Sequence, residues 1–184
     1  MYGREGTHIF LTREPTGFEV GRQIKRELKK DNAAGVDPLK EKGAEYAKRY
    51  VEDRKEHLEL IGQVLEKGIH TISDRHKYST FVYQGVQGMS FEWLNELHTG
   101  MRLPDLVLIL DLPVEQAMQR RIGEKSIPEV FEKIDFQRKA REGYLALKEK
   151  LESEKIVIVD GSGSILEVHA EIVKEAEKLF GLEK

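Results

Sequence analysis

Four short apolar segments, each ending in a polar or glycine-containing turn, constrain the fold of this 184-residue chain most strongly. They span residues 8–15, 69–75, 106–113 and 156–164. Long stretches with helical spacing separate them, and this alternation of strand and helix predicts parallel strands with helices packed on the faces. Leu106 to Leu110 is apolar throughout, as expected for a strand that is buried on both faces. We therefore expect an α/β fold built on a parallel sheet.

Helical spacing is clearest in segment 39–66, where apolar residues recur at steps of three and four. This stripe consists of Ala44, Ala47, Val51, Leu58, Ile61 and Leu65. Arg54 occupies one position of the stripe, where an apolar core residue is expected. Further helices are expected at 114–122, at about 129–150 and at 165–180.

Composition excludes several functional classes. The 30 Lys+Arg and 33 Asp+Glu residues give a net charge of −3, which argues against bulk nucleic-acid binding but allows a local basic cleft for a phosphorylated small molecule. No apolar run approaches the roughly 20 residues that cross a membrane, and the first residues do not resemble a secretion signal. Cysteine is absent, and the histidines form no close metal-ligand pair. These features predict a cytoplasmic protein with no nucleic-acid or membrane partner.

Polar residues follow every predicted strand. They are Arg13 and Glu14, Asp74 and Arg75, Asp111, and Asp160 with Ser162. Ligands of open α/β folds bind outside the carboxyl ends of the strands, so this distribution predicts a cleft at one sheet edge. A planar guanidinium binds phosphate through two parallel hydrogen bonds, which makes Arg13 and Arg75 candidates for holding an anionic substrate. The alternative is that these residues are ordinary surface charges or structural ion pairs.

Tyr50 and Arg54 are four residues apart and share one helix face. A buried guanidinium must find a partner, because an unpaired charge away from water costs several kcal/mol or more. One candidate partner is a carboxylate such as Asp53 or Glu14. The other is a ligand whose flat base stacks on Tyr50 and whose exocyclic oxygen bonds Arg54. The spacing leaves both interpretations open.

Two further features are expected to be structural. The segment 160–164, Asp-Gly-Ser-Gly-Ser, resembles a phosphate cradle, but no lysine follows it, and we predict a tight turn there. His57, His98 and His169 fall in helical segments with no Asp or Ser at the spacing of a catalytic triad, so we assign them no catalytic role.

Five segments in order resemble the thymidylate kinase family. They are LTREPTG at 11–17, YVEDRKEH at 50–57, ISDRHKYSTFVYQG at 72–85, LPDLVLILDLP at 103–113 and FEKIDFQRKAREGYL at 131–145. That family transfers a phosphoryl group from ATP to dTMP in dTTP biosynthesis. The resemblance implies a single domain over 1–184, with the parallel sheet and flanking helices of a P-loop nucleoside-monophosphate kinase and a lid at about 120–132.

The resemblance also implies roles for individual residues. It assigns dTMP binding to Arg13, Tyr50, Arg54, Arg75, Ser79, Tyr83 and Gln84. Within this set, Arg13 and Arg75 would hold the phosphate, and Tyr83 would pack against the sugar. It assigns catalysis to Asp74, Arg75 and Arg121, with Asp74 near a Mg²⁺ ion and the acceptor phosphate. Arg121 and Lys125 would face ATP from the lid, and the loop at 160–164 would border the adenine.

One part of the family pattern is missing from these 184 residues: they contain no G-x-x-x-x-G-K-[ST] motif. The resemblance places Met1 near the end of the helix that follows this P-loop. We therefore expect little activity and no tight binding of ATP or Mg²⁺ by this chain. Three explanations are open: a P-loop encoded upstream of Met1, a non-catalytic nucleotide-binding relative acting as a regulatory or assembly subunit, or an unrelated role on a degenerate kinase fold. Family members commonly form homodimers, and the stripe on 39–66 suits a dimer interface as well as a core.

The missing segment has a consequence for the sheet. In the fold that the resemblance implies, the absent strand lies between the strands at 69–73 and 106–111. Buried backbone polar groups are almost never left without partners. We expect those two strands to pair directly, since a shift of one strand spacing, ~4.8 Å, restores the ladder. Insertion of a strand from another molecule is the alternative.

Overall fold

The computed structural model describes residues 8–33, 42–121 and 128–182. The strands are β1 (Ile9–Arg13), β2 (His70–Asp74), β3 (Val107–Asp111) and β4 (Ile156–Asp160). The helices are α1 (Glu19–Ala33), α2 (Gly43–Glu66), α3 (Lys77–Val86), α4 (Phe91–Leu97), α5 (Val114–Arg121), α6 (Pro128–Lys150) and α7 (Ile165–Leu179). All four predicted strands and the four predicted helices are confirmed, with small differences at their ends. The chain divides into two compact units, Met1–Arg102 and Leu103–Lys184.

The first unit is built on β1 and β2, which pair in parallel from Ile9 opposite His70 to Arg13 opposite Asp74. Helices α1 to α4 belong to this unit, and α2 packs on both α1 and β2. Its core is apolar and aromatic: Ile24, Tyr46, Ala47, Val51, Phe81 and Leu94 are buried. The predicted stripe therefore does face the core at Ala47, Val51 and Ile61, and Arg54 is buried with it, whereas Ala44 is exposed.

The second unit is built on β3 and β4, which pair in parallel from Val107 opposite Ile156 to Asp111 opposite Asp160. Helix α6 packs on both strands, and α7 packs on β4. Helix α7 begins with a capping box, in which the Ser164 and Glu167 side chains each bond the other residue's backbone N–H. Val107 and Ile109 are buried, but Leu110 is 53% exposed. The expectation that this strand is covered on both faces is therefore wrong at Leu110.

The described strands form two separate two-stranded sheets. β2 pairs with β1 and β3 pairs with β4, so the predicted direct pairing of 69–73 with 106–111 is wrong. Each two-stranded sheet belongs to its own compact unit. Within the described residues, no helix is long and apolar enough to span a membrane.

Candidate functional site

The carboxyl ends of β1 and β2 bring the first group of predicted site residues together. Arg13 and Asp74 lie directly opposite each other in the parallel register, and both are exposed. The backbone N–H of Glu14 continues the ladder by donating to the Asp74 carbonyl at 3.0 Å. Because residues opposite each other in a sheet project from the same face, a cation and a carboxylate stand side by side at this edge.

Arg75 follows β2 with an unusual backbone conformation. Its φ of 76° lies in the left-handed region, where residues other than glycine are uncommon. The Ser73 hydroxyl donates a hydrogen bond to the Arg75 carbonyl at 2.8 Å, which holds this turn. The Arg75 guanidinium carbon lies 5.7 Å from the centre of the Tyr83 ring. Arg75 thus combines a backbone conformation that costs free energy with a contact between its guanidinium and an aromatic ring of α3.

Tyr50 of α2 is near the same group. Burial raises the pKa of the Tyr50 hydroxyl, and the positive charge of Arg75 partly offsets this rise. Tyr83 and Arg54 also act on that pKa, so the structure brings Tyr50, Arg54, Arg75 and Tyr83 into one neighbourhood. The Tyr50 ring lies 6.3 Å from the ring of Tyr46, which is buried in the core.

Arg54 is paired with a carboxylate inside the first unit. The side chains of Arg54 and Glu14 are 2% and 4% exposed. Glu14 Oε2 accepts from Arg54 Nε at 2.8 Å and from Nη2 at 2.6 Å. Burial alone would raise the pKa of Glu14, but hydrogen bonding from His57 and the charge of Arg54 bring it below its ordinary value. Of the two carboxylates considered from the sequence, Glu14 is therefore the partner of Arg54.

Two histidines extend this buried network. His57 Nδ1 donates to Glu14 Oε1 at 3.0 Å, because a carboxylate oxygen can only accept. The other ring nitrogen of His57, Nε2, lies 2.8 Å from the Thr12 hydroxyl. His98 Nε2 lies 2.6 Å from Arg54 Nη1, and its Nδ1 lies 2.6 Å from the Leu94 carbonyl. Glu14 is thus bound by two side chains of α2, Arg54 and His57, and the Arg54 guanidinium is bound by Glu14 and by His98, the residue after α4.

The turn after β1 is held by α2 at a second point. Asp53 accepts from the Thr16 backbone N–H at 2.8 Å and from the Thr16 hydroxyl at 2.5 Å. Helix α1 approaches this contact so closely that a Cβ on Gly21 would lie 2.5 Å from the Thr16 carbonyl oxygen and 2.6 Å from Asp53 Oδ1. The buried residues Glu14 and Thr16 therefore fix the chain directly after the exposed Arg13.

The remaining predicted residues are spread more widely. Ser79 and Tyr83 are half-buried on α3, while Gln84 is fully buried and donates to Gln87 Oε1 at 3.4 Å. All predicted dTMP-site residues belong to the first unit. Arg121 is the last residue of α5, and its side chain is outside the described part of the structure. Lys125 also lies outside the described residues, as does the rest of segment 122–127 within the expected lid at 120–132.

The strand ends of the second unit carry their own ion pair and turn. Arg141 binds Asp111 through two parallel hydrogen bonds of 2.6 and 2.8 Å, which lowers the pKa of Asp111. In the segment 160–164, Asp160 Oδ1 accepts from the Ser162 N–H at 2.8 Å. Arg120 donates to the carbonyls of residues 161, 162 and 163 at 2.9 to 3.2 Å. The chain bends at residues 162 and 163, and the side chains of Asp160 and Arg120 hold this segment.

Comparison with known proteins shows what this arrangement belongs to. The family model described as thymidylate kinase matches residues 1–172. The chain belongs to the thymidylate kinase family. It is 37% identical over 186 residues to "Probable thymidylate kinase" of Thermococcus gammatolerans, covering 98% of this chain and 88% of that protein. It is 36% identical to the protein of the same name in Pyrococcus abyssi, over 98% of this chain and 87% of that protein. It is also 33% identical to "Thymidylate kinase" of Caldanaerobacter subterraneus, over 95% of this chain and 83% of that protein.

The Mg²⁺ ion that the thymidylate kinase family implies can be tested against the residues present. The described residues contain no group of three or more His, Asp or Glu side chains that could hold a metal ion. Mg²⁺ in kinases is bound by one or two carboxylates plus substrate phosphates, so a complete protein cage is not required. The exposed Asp74 carboxylate beside Arg13 fits such a site.

Sequence reasoning missed four members of the buried network: Thr12, His57, Thr80 and His98. His57 could have been found, because it lies one helical turn after Arg54 on the same face of α2. Thr80, which accepts from Arg54 Nη2 at 3.3 Å, and His98 had no comparable signal. His98 is 44 residues from Arg54 in sequence, so their contact exists only once the chain has folded.

Two histidines, the half-buried His76 and the buried His98, predict acid sensitivity. Burial and the charge of Arg54 lower the pKa of both His76 and His98 from 6.5 to about 4. The unfolded chain therefore binds more protons between pH 6.5 and pH 4, so stability is complete above pH 6.5 and falls as the pH drops through this window. By pH 4 the loss should be on the order of 3 kcal/mol for each histidine.

The measurement is urea unfolding followed by the fluorescence of Trp93, the only tryptophan, which lies on α4 in the first unit. Unfolding free energies at pH 7.5, 6.0 and 5.0 are expected to decrease in that order. The variant H98M should show a smaller decrease, because one of the two titrating groups is gone. A free energy that stays constant from pH 7.5 to 5.0 would contradict these pKa values.

Proposed function

We propose that this chain binds dTMP in the first unit and that its fold serves phosphoryl transfer from ATP to dTMP. The observation that carries the proposal is the group at the carboxyl ends of β1 and β2. There, Arg75 has a left-handed backbone and contacts the Tyr83 ring, and Arg13 lies on the neighbouring strand. Two exposed arginines, of which Arg75 lies over the Tyr83 ring, suit a ligand with a phosphate at one end and a flat base at the other.

Each residue has a role in this proposal. Arg13 and Arg75 bind the phosphate of dTMP, Tyr50 stacks on the base, and Tyr83 packs against the sugar. Ser79 and Gln84 of α3 complete the dTMP site. Arg54 directs its one uncommitted N–H toward the base while the rest of its guanidinium holds Glu14.

Phosphoryl transfer needs charge neutralisation in addition to substrate binding. Asp74 would hold Mg²⁺, which neutralises negative charge on the phosphates when it is bound. Arg75 would stabilise the charge that develops on the acceptor side, and Arg121 and Lys125 would contact ATP from the lid. Such a nucleotide kinase would act in the cytoplasm and could form a homodimer, although Ala47, Val51 and Ile61 of the α2 stripe are buried within the chain and would not supply its interface.

We expect dTMP to bind this chain more tightly than ATP, by about tenfold or more, which is 1.4 kcal/mol. The reason is that the residues assigned to the monophosphate are present in these 184 residues, whereas no P-loop motif is. Titration calorimetry with dTMP, thymidine and ATP, each with Mg²⁺, measures the difference. Thymidine lacks the phosphate and should bind more weakly than dTMP.

A matched pair of variants assigns the phosphate contact. R75A should weaken dTMP binding by about 1.5–3 kcal/mol, the value of hydrogen bonds to a charged group. R22A is the control, because Arg22 is an exposed arginine of α1 that pairs with Glu19. ATP binding equal to or tighter than dTMP binding would overturn the proposed substrate preference. Equal effects of R75A and R22A would remove Arg75 from the site.

The second candidate function is a non-catalytic one. The lack of a G-x-x-x-x-G-K-[ST] motif in these 184 residues favours it, because the backbone amides and lysine of that motif hold the phosphates of ATP. A nucleotide-binding subunit with a regulatory or assembly role would bind dTMP as proposed above, but would not phosphorylate it when ATP and Mg²⁺ are supplied.

A further inference from the structure

We propose that His98 is a positioning residue for Arg54, holding the guanidinium with a neutral Nε2 lone pair so that a single N–H remains for a bound nucleotide base. The inference deepens the proposed dTMP function and rests on it for the effect on binding. The protonation state that we infer for His98 is independent of the proposed function. His98 is not among the residues that the sequence pattern assigned to the site.

The protonation state follows from the partners of the two ring nitrogens. His98 Nδ1 lies 2.6 Å from the Leu94 carbonyl oxygen, which can only accept, so Nδ1 carries a hydrogen. His98 Nε2 lies 2.6 Å from Arg54 Nη1, which can only donate, so Nε2 carries none. The ring is therefore neutral and in the Nδ1–H tautomer. The lowered pKa of His98 agrees with this state.

Contacts within the protein use most of the N–H bonds of the Arg54 guanidinium. Arginine has five N–H bonds. Nε and one Nη2 hydrogen go to Glu14, the other Nη2 hydrogen goes to Thr80, and one Nη1 hydrogen goes to His98. Four of the five N–H bonds therefore have acceptors among the described residues, and the second Nη1 hydrogen is the one left to donate to a ligand.

His98 fixes the direction of that remaining hydrogen. The two Nη1 hydrogens are coplanar and at a fixed angle, so a partner for one orients the other. The ring of His98 is itself held: it is buried, its Nδ1 is anchored to α4, and it packs edge-on against Phe81 with ring centres 5.1 Å apart. An acceptor that cannot rotate makes the guanidinium of Arg54 rigid before a ligand arrives.

The first test needs no variant. In ¹⁵N-labelled wild-type protein at pH 7, two-bond nitrogen–hydrogen correlation spectra distinguish the tautomers of each histidine. We expect His98 to show a protonated Nδ1 and an unprotonated Nε2. A protonated Nε2, in either the other tautomer or the charged ring, would overturn the proposal whatever the outcome for dTMP binding.

The second test compares two substitutions of similar shape. Gln can place an acceptor oxygen near the position of Nε2, whereas Met has the same length and no comparable acceptor. H98Q should bind dTMP within about threefold of the wild type, and H98M should bind about tenfold more weakly, the effect of losing the hydrogen bond from a misdirected Arg54 N–H to the base. H169M, on an exposed histidine of α7, controls for loss of a histidine as such.

Each outcome decides. Wild-type affinity in folded H98M, or equal weakening in H98Q and H98M, would overturn the role of the acceptor. If H98M does not fold, the affinity of H98Q and the wild-type tautomer still decide: weak binding by H98Q contradicts the proposal, and retained binding supports it. A wild-type chain that binds no dTMP would refute the proposed function, and the tautomer would then test the Arg54 contact alone.

Discussion

Replacing Arg54 by alanine should cost about 3–5 kcal/mol of unfolding free energy, the range for removing one partner of a buried ion pair. Glu14 and Arg54 are 5% and 2% exposed, so the carboxylate would stay buried with only His57 as a charged or polar partner that the structure gives it. His98 Nε2 and the Thr80 hydroxyl would also lose a donor. Urea unfolding followed by Trp93 fluorescence measures the loss in the unit that contains the network.

Arg49 supplies a matched control on the same helix. It pairs with Glu27 of α1, but Glu27 is half exposed, so this pair is partly solvated. R49A should cost no more than about 1 kcal/mol, as is usual for ion pairs near the surface. A double variant, E14Q with R54A, should be less destabilised than the sum of its single variants, because the uncompensated charge is gone. Equal losses in R54A and R49A would contradict the buried-pair interpretation.

The same variant separates the two roles of Arg54. If its remaining N–H contacts the base, the folded fraction of R54A should also bind dTMP more weakly, by about 1–3 kcal/mol. Loss of stability with dTMP binding intact would restrict Arg54 to the ion pair with Glu14. The stability effect follows from contacts within the protein, since Glu14, Thr80 and His98 all accept hydrogen bonds from the guanidinium.

The strands could be predicted from the sequence because each one is short, apolar and followed by polar or glycine residues, and a run of this length is too short for a typical helix. The burial of Arg54 could also be predicted, because its position in the stripe of α2 leaves no other orientation. The sequence offered Asp53 and Glu14 as carboxylate partners of Arg54, but it could not distinguish between them. Asp53 instead holds Thr16, a distinction that depends on how the turn after β1 meets α2.

What the sequence could not show is decided by tertiary contacts. The left-handed conformation of Arg75 has no local signature, since glycine or asparagine would be the usual residue there. The exposure of Leu110 could not be predicted either, because an apolar run looks the same whether one or both faces are covered. The expectation that β2 and β3 pair directly is wrong because it treated the four strands as one sheet, whereas each pair lies in its own compact unit.

Adding a strand, a P-loop and a helix to the amino terminus of this chain should raise dTMP kinase activity from a trace to the range usual for kinases, about 1–100 turnovers per second. The reason is that phosphoryl transfer depends on positioning and charge neutralisation, which the P-loop amides and lysine supply. The segment can be taken from a thymidylate kinase relative. Activity is measured as dTDP formed from dTMP, ATP and Mg²⁺ by the 184-residue chain and by the extended chain.

A control separates repair of the fold from repair of the catalytic site. An extended chain whose P-loop lysine is replaced by alanine should gain the structure but little of the activity. Turnover of about 1–100 per second by the unextended chain would refute the expectation that these 184 residues are nearly inactive. Extension without any gain would instead favour the non-catalytic candidate function.

Hydrogen exchange can show whether the added strand joins the sheet at β2. The His70 N–H donates to the His8 carbonyl of the neighbouring chain segment, and alternate residues of a strand point their N–H groups to opposite edges. The amides of Thr71 and Ser73 therefore point to the edge opposite β1. If the added strand pairs there, these two amides should become protected in the extended chain, while His70 and Ile72 change little.

The face shared by Leu11 and Ile72, which are 62% and 57% exposed, should become buried at the same time if the added helix covers it. Restored turnover without new protection at Thr71 and Ser73 would mean that the added segment supplies the P-loop from a different position in the sheet.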